Sequence, residues 1–282
     1  MARHHSLASL VRCLTSTHPC VCEPHSFYNS RCSHSPHQSV LTPTGAPWTL
    51  MAYMIEGRGS KTFSKAKKWL FRYPEASHEL LQRVTDVLVT FLLEQVRAGA
   101  QLLQVFDSWA GELSKECFKT FSLPYIQQIE QRVREGVKEM LSASGASSCN
   151  ASGPPVPMVL FAKGAHFSIE EILKSTTYDV LGLDWQTDPE HVVDLCIRHK
   201  RSVCLQGNLD PCALYADKET VAQLTHSMLG RFQAAIAKAA DAGVTVTHIC
   251  NLGHGLHPTH DPEHVKEFIN SVHAFSRTRM QK

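Results

Sequence analysis

Several short apolar runs in this 282-residue chain end in polar residues that could do chemistry. The most suggestive is His254, which lies between Gly253 and Gly255 directly after the last apolar run. Its imidazole can exchange a proton near neutral pH, and the flanking glycines let the backbone approach a ligand closely. Ser108 lies just after an apolar run, with Asp107 between them, so its hydroxyl could contact a ligand. We therefore expect binding or proton transfer here, although a loop histidine and a helix-capping serine remain the local alternatives.

The other polar ends carry weaker expectations. Asp210 is expected to fix the turn after its strand, and Asp184 with Trp185 is expected to hold the rim of a site. Lys163 and His166 could touch a carboxylate, but a solvated loop is the simpler interpretation. Tyr53 reads locally as an aromatic side chain on an early helix, and Arg58 is a weak candidate because it lies near Tyr53.

These positions depend on an alternation of short apolar runs with longer amphipathic ones. Strands are predicted at Gln101–Phe106, Val156–Ala162, Tyr178–Leu183, Ser202–Gln206 and Val244–Asn251. Helices are predicted at Lys61–Phe71, Glu75–Ala98, Pro124–Leu141, Ile169–Lys174, Pro189–Arg198, Lys218–Ala240 and Pro262–Ser276. Asp188, Asp217 and Asp261 precede three of these helices as capping acids, and 142–157 is a predicted surface loop.

The alternation predicts an α/β fold with a parallel sheet, because the strands are short, apolar and mostly unalternating. No glycine-rich phosphate motif follows any strand, so a nucleotide-binding fold has no support. A (β/α)₈ barrel is favoured over a doubly wound layer because several strands end in polar residues, where such barrels have their active sites. Only about five strands are recognisable, whereas such a barrel needs eight, so the barrel is apparently incomplete. Its two unpaired edges predict poor solubility or dependence on a partner chain.

Composition excludes several classes of protein. The chain has 28 Lys and Arg residues against 26 Asp and Glu residues, and 43% of it is hydrophobic. The hydrophobic share permits a buried core, and the near-neutral charge argues against a general nucleic-acid binder. No run approaches the roughly 18 apolar residues of a membrane-spanning helix. Cysteines after residue 44 are scattered singly, which favours a soluble protein of the reducing cytosol.

Residues 1–44 differ from the rest. They are rich in Ser, Thr, Pro and His, and they show neither a helical nor a strand period. We expect this segment to be disordered, because it can bury too little apolar surface to offset chain entropy. Its four cysteines and six histidines have irregular spacings that give a zinc site little support. A mitochondrial presequence also has little support, since the segment is poor in acids and rich in Ser but not rich in arginine.

Four ordered motifs carry a family resemblance. They are G-A-P-W-T-L-M-A-Y-M-I-E-G at 45–57, V-F-D-S-W-A-G at 105–111, L-Q-G-N-L-D-P at 205–211 and N-L-G-H-G-L at 251–256. Together they resemble the uroporphyrinogen decarboxylases of haem biosynthesis. The resemblance implies one partial barrel over 45–282, preceded by a segment, 1–44, that is unlike the family. It also implies a cytosolic homodimer that removes the four acetate carboxyls of uroporphyrinogen, giving coproporphyrinogen, without metal or cofactor.

The same resemblance implies the site residues. By motif match, Tyr53 and His254 are the catalytic candidates, and Tyr53, Ser108 and His254 contact the substrate. Acetate loss from a pyrrole requires protonation of the ring, so the pocket must supply proton donors and cations for the substrate carboxylates.

Residues 1–44 depart from the family pattern. The family carries there an arginine-rich R-Q-A-G-R-Y loop and a cleft aspartate, whereas this segment has no Asp and no R-x-x-x-R. Pro43 also opposes a central strand at 39–44. We therefore expect impaired decarboxylation. One alternative is an inactive truncated isoform that acts as an assembly partner, including in a dimer with an intact subunit. The other is a related zinc methyltransferase with His248 and Cys250 as metal ligands, although a third ligand is lacking.

Overall fold

The computed structural model describes residues 41–57, 60–143 and 156–280. Residues 1–40 of the predicted disordered segment, Arg58 and most of the predicted loop at 142–157 lie outside these ranges. The strands are β1 (Leu41–Gly45), β2 (Leu102–Asp107), β3 (Met158–Ala162), β4 (Val180–Gly182), β5 (Val203–Leu209) and β6 (Val246–Leu252). The helices are α1 (Pro47–Glu56), α2 (Ser64–Arg72), α3 (Pro74–Arg97), α4 (Lys115–Phe121), α5 (Leu123–Ala143), α6 (Ile169–Ser175), α7 (Pro189–Arg198), α8 (Lys218–Asp241) and α9 (Pro262–Met280).

The six strands form one parallel sheet in the order of the chain, β1 to β6. Within the described residues β1 pairs only with β2, and β6 pairs only with β5, so the sheet is not closed. The structure thus confirms an α/β fold of the incomplete-barrel kind that the alternation predicts. Among the described residues, both edge strands keep unpaired backbone groups on one side.

The two faces of the sheet have different apolar clusters. The outer face contributes Leu103, Val105, Leu160 and Leu205 to the large core that the helices cover. The inner face carries a separate small cluster, to which Ile249 of β6 adds a partly buried side chain. Its buried members are Leu102, Val159, Val180 and Cys204. The sheet is therefore apolar on both sides, as expected for parallel strands.

The predicted capping acids are confirmed. Asp188 accepts a hydrogen bond from Glu190 N at 3.0 Å, with Pro189 in the first helical position of α7. Asp217 accepts from Thr220 N at 2.8 Å and begins α8. Asp261 accepts from Glu263 N at 2.8 Å and begins α9. Each carboxylate satisfies an amide of the first turn that would otherwise lack a partner.

Two elements correct the sequence analysis. Residues 41–44, placed in the disordered segment, form most of β1, and the five predicted strands are six. Pro43 is compatible with β1 because that strand is at the edge of the described sheet, where a missing N–H leaves no ladder bond unmade. Helix α4 was also missed, although Ser114 caps it by accepting from Cys117 N at 3.1 Å.

Of the helices in these ranges, none has both the length and the apolarity needed to cross a bilayer.

Candidate active site at the carboxyl rim of the sheet

The carboxyl ends of the six strands lie at one edge of the sheet, since all the strands are parallel. Parallel α/β folds bind their ligands at this edge. It holds the turn at Ser108, the loop at Lys163, the turn at Trp185 and the loop at His254. Tyr53 reaches the same edge from α1, which directly follows β1.

Five side chains make a continuous series of contacts along this edge, which we call the rim row: Tyr53, Trp109, Lys163, Trp185 and His254. The Tyr53 and Trp109 rings meet edge to face with centroids 6.0 Å apart. Lys163 Nζ lies 5.6 Å from the centroid of Trp109 and 5.6 Å from that of Trp185. Trp185 in turn meets His254 edge to face at 6.3 Å. The rim row thus connects the two catalytic candidates through aromatic faces and one cation.

Aromatic residues support both ends of the rim row. Phe63 is fully buried and packs against Trp109 at 4.5 Å and Tyr53 at 6.5 Å. At the other end, Phe161 of β3 lies 6.4 Å from the His254 ring. Phe161 also meets Phe106 of β2 edge to face at 5.9 Å. The inner face of the sheet beside the rim row is therefore aromatic, which suits the face of an apolar ring.

Asp107, the last residue of β2, fixes the turn that carries Ser108. It is fully buried and accepts hydrogen bonds from Thr49 Oγ1 at 2.7 Å and Ser122 Oγ at 2.5 Å. Burial raises the pKa of this carboxyl to about 6, although the two hydroxyl donors oppose the rise. Thr49 Oγ1 also accepts from Trp109 N at 3.3 Å. Asp107 therefore holds α1, the Ser108 turn and the start of α5 together.

Asp184 plays a similar part after β4. One of its oxygens accepts from Gly164 N at 2.5 Å, and the other accepts from Thr187 Oγ1 at 2.9 Å. Asn208 of β5 donates to the main-chain oxygens of Asp184 and Thr187 at 2.8 and 2.7 Å. These bonds join the ends of β3, β4 and β5 and fix the position of Trp185. The expectation that Asp184 and Trp185 hold the rim agrees with this arrangement.

Gly253 lets the His254 loop lie against the turn after β4. A Cβ at Gly253 would be 2.5 Å from Trp185 N and 3.0 Å from Asp184 C, closer than side-chain carbons approach backbone. Gly253 N also donates to Leu209 O at 2.7 Å. A Cβ at Gly255 would meet no heavy atom within 4 Å. The close approach that the glycines predict is therefore made to protein backbone, and it is made by Gly253 alone of the two.

His254 is exposed as a residue, yet its ring lies against Phe161 and Trp185. This partial desolvation is the main cause that lowers the pKa of the imidazole, and the positive charge of Lys163 lowers it further. The imidazole is therefore neutral at neutral pH. When protonated in the unliganded site, it is a stronger acid than an ordinary histidine, because its pKa is lowered.

The structure places the remaining candidates as follows. Ser108 is half-buried in the turn after β2, and Tyr53 is 44% exposed at the rim. Asp210 accepts from Cys212 N at 2.9 Å, which confirms its predicted turn-fixing role. His166 is exposed as expected, but it begins a short 3₁₀ helix, His166–Ser168, and does not lie in a loop. Lys163 was expected in a solvated loop, but its side chain lies between the indole rings of Trp109 and Trp185.

His248, the histidine of the zinc alternative, makes structural contacts instead. His248 stacks on Phe232 with centroids 3.7 Å apart, and its Nε2 donates to Gly207 O at 2.7 Å. Burial lowers the pKa of His248 to about 4 and raises the pKa of the Cys250 thiol to about 12. Within the described ranges no group of three or more His, Cys, Asp or Glu side chains is arranged to hold a metal ion.

Comparison with known proteins identifies the family. The family model described as uroporphyrinogen decarboxylase (URO-D) matches residues 34–275. The chain belongs to the uroporphyrinogen decarboxylase family. The uroporphyrinogen decarboxylase of Danio rerio is 48% identical over 239 residues, which are 85% of this chain and 58% of the relative. That of Salinibacter ruber is 48% identical over 234 residues, which are 83% of this chain and 57% of the relative.

The chain therefore spans about 58% of the length of the uroporphyrinogen decarboxylases that it matches. The match to the family model begins before Gly45, where the motif resemblance starts, and it includes β1. A solved homocysteine methyltransferase, MmuM from Escherichia coli in its metallated form, aligns with 85% of this chain and 96% of its own at 15% identity and a TM-score of 0.28. That likeness is too low to support a conclusion.

Sequence reasoning on this uroporphyrinogen decarboxylase family member missed two features of the site. The first is the burial of Asp107. Its hydrogen-bond partners give no local signal, because Thr49 is distant from it in sequence and Ser122 belongs to another element. The second is the enclosure of Lys163 by indole rings. The only sequence signal for it is that Trp109, Lys163 and Trp185 each occur within a few residues of a strand end.

Proposed function

We propose that this chain carries the decarboxylase chemistry of its family. The reaction is the cofactor-free removal of the four acetate carboxyls of uroporphyrinogen to give coproporphyrinogen. In each step a CH₂–COO⁻ group loses CO₂ and its carbon takes up a proton to become a methyl group. The rim row supports this proposal most strongly, because it brings Tyr53 and His254 to the ends of one aromatic surface that includes the Ser108 turn.

Each candidate then has a chemical role. The exposed phenol of Tyr53 can donate a hydrogen bond or a proton to the substrate, and the hydroxyl of Ser108 can donate to a carboxylate. The neutral His254 can accept a hydrogen bond from a pyrrole N–H, or carry a proton to the reacting carbon after it is protonated. The aromatic rim can pack against pyrrole rings and exclude water from the departing carboxylate.

We expect the turnover of this chain to be at least about a hundredfold below that of a full-length relative, because residues 1–44 lack the family's arginines and aspartate. The purified chain and the Danio rerio enzyme would be incubated anaerobically with uroporphyrinogen, and the oxidised products separated by chromatography. Slow product formation that disappears in His254→Asn supports the proposal. Turnover equal to that of the relative overturns the impairment, and product formation that persists in the variant overturns the assignment of His254.

A second candidate function is that of an inactive assembly partner, which the edges of β1 and β6 favour because they pair with no further strand in the part of the chain that the structure describes. Under this hypothesis the chain pairs with a second copy or with an intact subunit in the cytosol. Light scattering after size exclusion, alone and with the Danio rerio enzyme, would then give a dimer or a mixed dimer. A soluble monomer with a sharp cooperative melt would contradict it.

A further inference from the structure

We propose that Lys163 is an anchor for a substrate carboxylate, presented at the centre of the rim row by the Trp109 and Trp185 rings. The inference rests on the proposed function and deepens it, because it assigns the recognition of an acetate side chain to a residue of this chain. The ligand class is a polycarboxylate tetrapyrrole. Its pyrrole faces would meet the indoles, and one of its carboxylates would meet the ammonium group.

The backbone of Lys163 is fixed to the neighbouring strand end. Lys163 N donates to Asp107 O at 3.2 Å, and Lys163 O accepts from Gly111 N at 2.8 Å. The next residue, Gly164, has a positive φ of 71° and donates to the buried Asp184 at 2.5 Å. A Cβ at Gly111 would lie 2.7 Å from Gly164 Cα, so the two segments touch backbone to backbone. Such a support holds a side chain in one place before a ligand arrives.

The charge of Lys163 is not neutralised by the acids around it. Lys163 forms none of the ion pairs found among residues 41–57, 60–143 and 156–280. Asp107 is buried between two hydroxyl donors, and Asp184 already accepts from two amides and a hydroxyl. An ammonium group over two indole faces retains N–H donors for an anion, because a cation–π contact is an attraction between the charge and the ring and does not occupy all of these donors.

The position of Lys163 suits the chemistry at His254. The two groups contact the same indole, that of Trp185, and the charge of Lys163 acts on the imidazole. A carboxylate bound to Lys163 would therefore lie beside the same indole ring as His254. In this arrangement one substrate arm is held while a neighbouring pyrrole is presented to the catalytic candidates.

Lys163 could instead serve only to hold the two tryptophans, and the choice of variants separates the two roles. Lys163→Met keeps an unbranched apolar stem between the indoles but removes the charge. Lys163→Arg keeps the charge and the contact with the rings. Lys138→Met is the matched control, because Lys138 is exposed on α5 and is not part of the rim row.

Binding of uroporphyrin III, the oxidised octacarboxylate, can be followed by quenching of tryptophan fluorescence at low and high salt. We expect Lys163→Met to weaken binding at least tenfold and to reduce its salt dependence. Lys163→Arg should stay within threefold of wild type, and Lys138→Met should match wild type. All three variants should keep the melting temperature within a few degrees.

Three results would contradict the proposal in distinguishable ways. If the wild type binds uroporphyrin and Lys163→Met binds equally well, the anchor is wrong and the proposed function stands. If Lys163→Met melts much lower and Lys163→Arg does not restore affinity, Lys163 has only a structural role. If the wild type neither binds uroporphyrin nor forms product from uroporphyrinogen, the proposed function fails together with the anchor.

Discussion

Gly253→Ala is expected to abolish most of the porphyrin affinity that we propose for this chain and to destabilise it by about 1–3 kcal/mol, the usual range for an overpacked site. The new Cβ would lie 2.5 Å from Trp185 N and 3.0 Å from Asp184 C. Both contacts are with backbone, and that backbone is fixed by Asn208, so neither side can move easily. The His254 loop must therefore shift, which separates His254 from Trp185 and interrupts the rim row.

Gly255→Ala is a close control, because it adds the same methyl group two residues away. Neither glycine has a positive φ, and a Cβ at Gly255 meets no heavy atom within 4 Å. Urea unfolding would give the free energies of unfolding, and uroporphyrin titration would give the affinities. We expect at least a tenfold loss of affinity for Gly253→Ala and none for Gly255→Ala. Equal affinities for both variants would show that the His254 loop adapts and that its observed position is unimportant.

The fold was largely predictable wherever a local signal exists. The Asp-Pro pairs and Asp217 predicted the starts of α7, α8 and α9, because a side chain and the adjacent amides alone decide a cap. Strand β1 was not predictable from L-T-P-T-G, which has little apolar character and contains a proline. It is a strand because β2 offers its backbone groups, and such long-range pairing leaves little trace in five residues.

The site was predictable in outline for the same reason. Polar residues after apolar runs indicated the rim, and the motifs indicated Tyr53, Ser108 and His254. The enclosure of Lys163 could not be predicted, since Trp109 and Trp185 reach it from the ends of two other strands. The burial of Asp107 likewise depends on Thr49, which is 58 residues away in sequence.

That burial gives the second large prediction, on how the stability of Asp107→Asn depends on pH. The pKa of Asp107 is about 6 in the folded chain and 3.8 as an ordinary carboxyl. Below pH 3.8 both states hold the proton and the group has no effect on stability. As the pH rises towards 6, the unfolded chain ionises first, so stability is lost by about 3 kcal/mol in total. An asparagine, which stays neutral and can still bond Thr49 and Ser122, removes that loss.

His248 has the opposite slope over nearly the same window. Its pKa is about 4 in the folded chain and 6.5 as an ordinary imidazole. Above pH 6.5 both states are neutral. As the pH falls towards 4, the unfolded chain takes up the proton first, so stability is again lost by about 3 kcal/mol. Between pH 4 and 6 the two opposite slopes therefore nearly cancel in the wild type, and the pH dependence of each group is visible only when the other group is removed.

The two groups can be separated with Asp107→Asn, His248→Gln and the double variant. Urea unfolding at several pH values from 4 to 7 would give each free energy of unfolding relative to wild type. As the pH rises from 4 to 6.5, the free energy of unfolding of Asp107→Asn should rise by about 3 kcal/mol relative to wild type. Over the same rise in pH, the free energy of unfolding of His248→Gln should fall by about as much relative to wild type. The double variant should follow the wild-type pH dependence, because the exposed carboxylates are common to all four proteins. If Asp107→Asn shows no pH-dependent difference from wild type, then Asp107 keeps an ordinary pKa. In that case burial does not disfavour the ionised form of the carboxylate that holds the Ser108 turn.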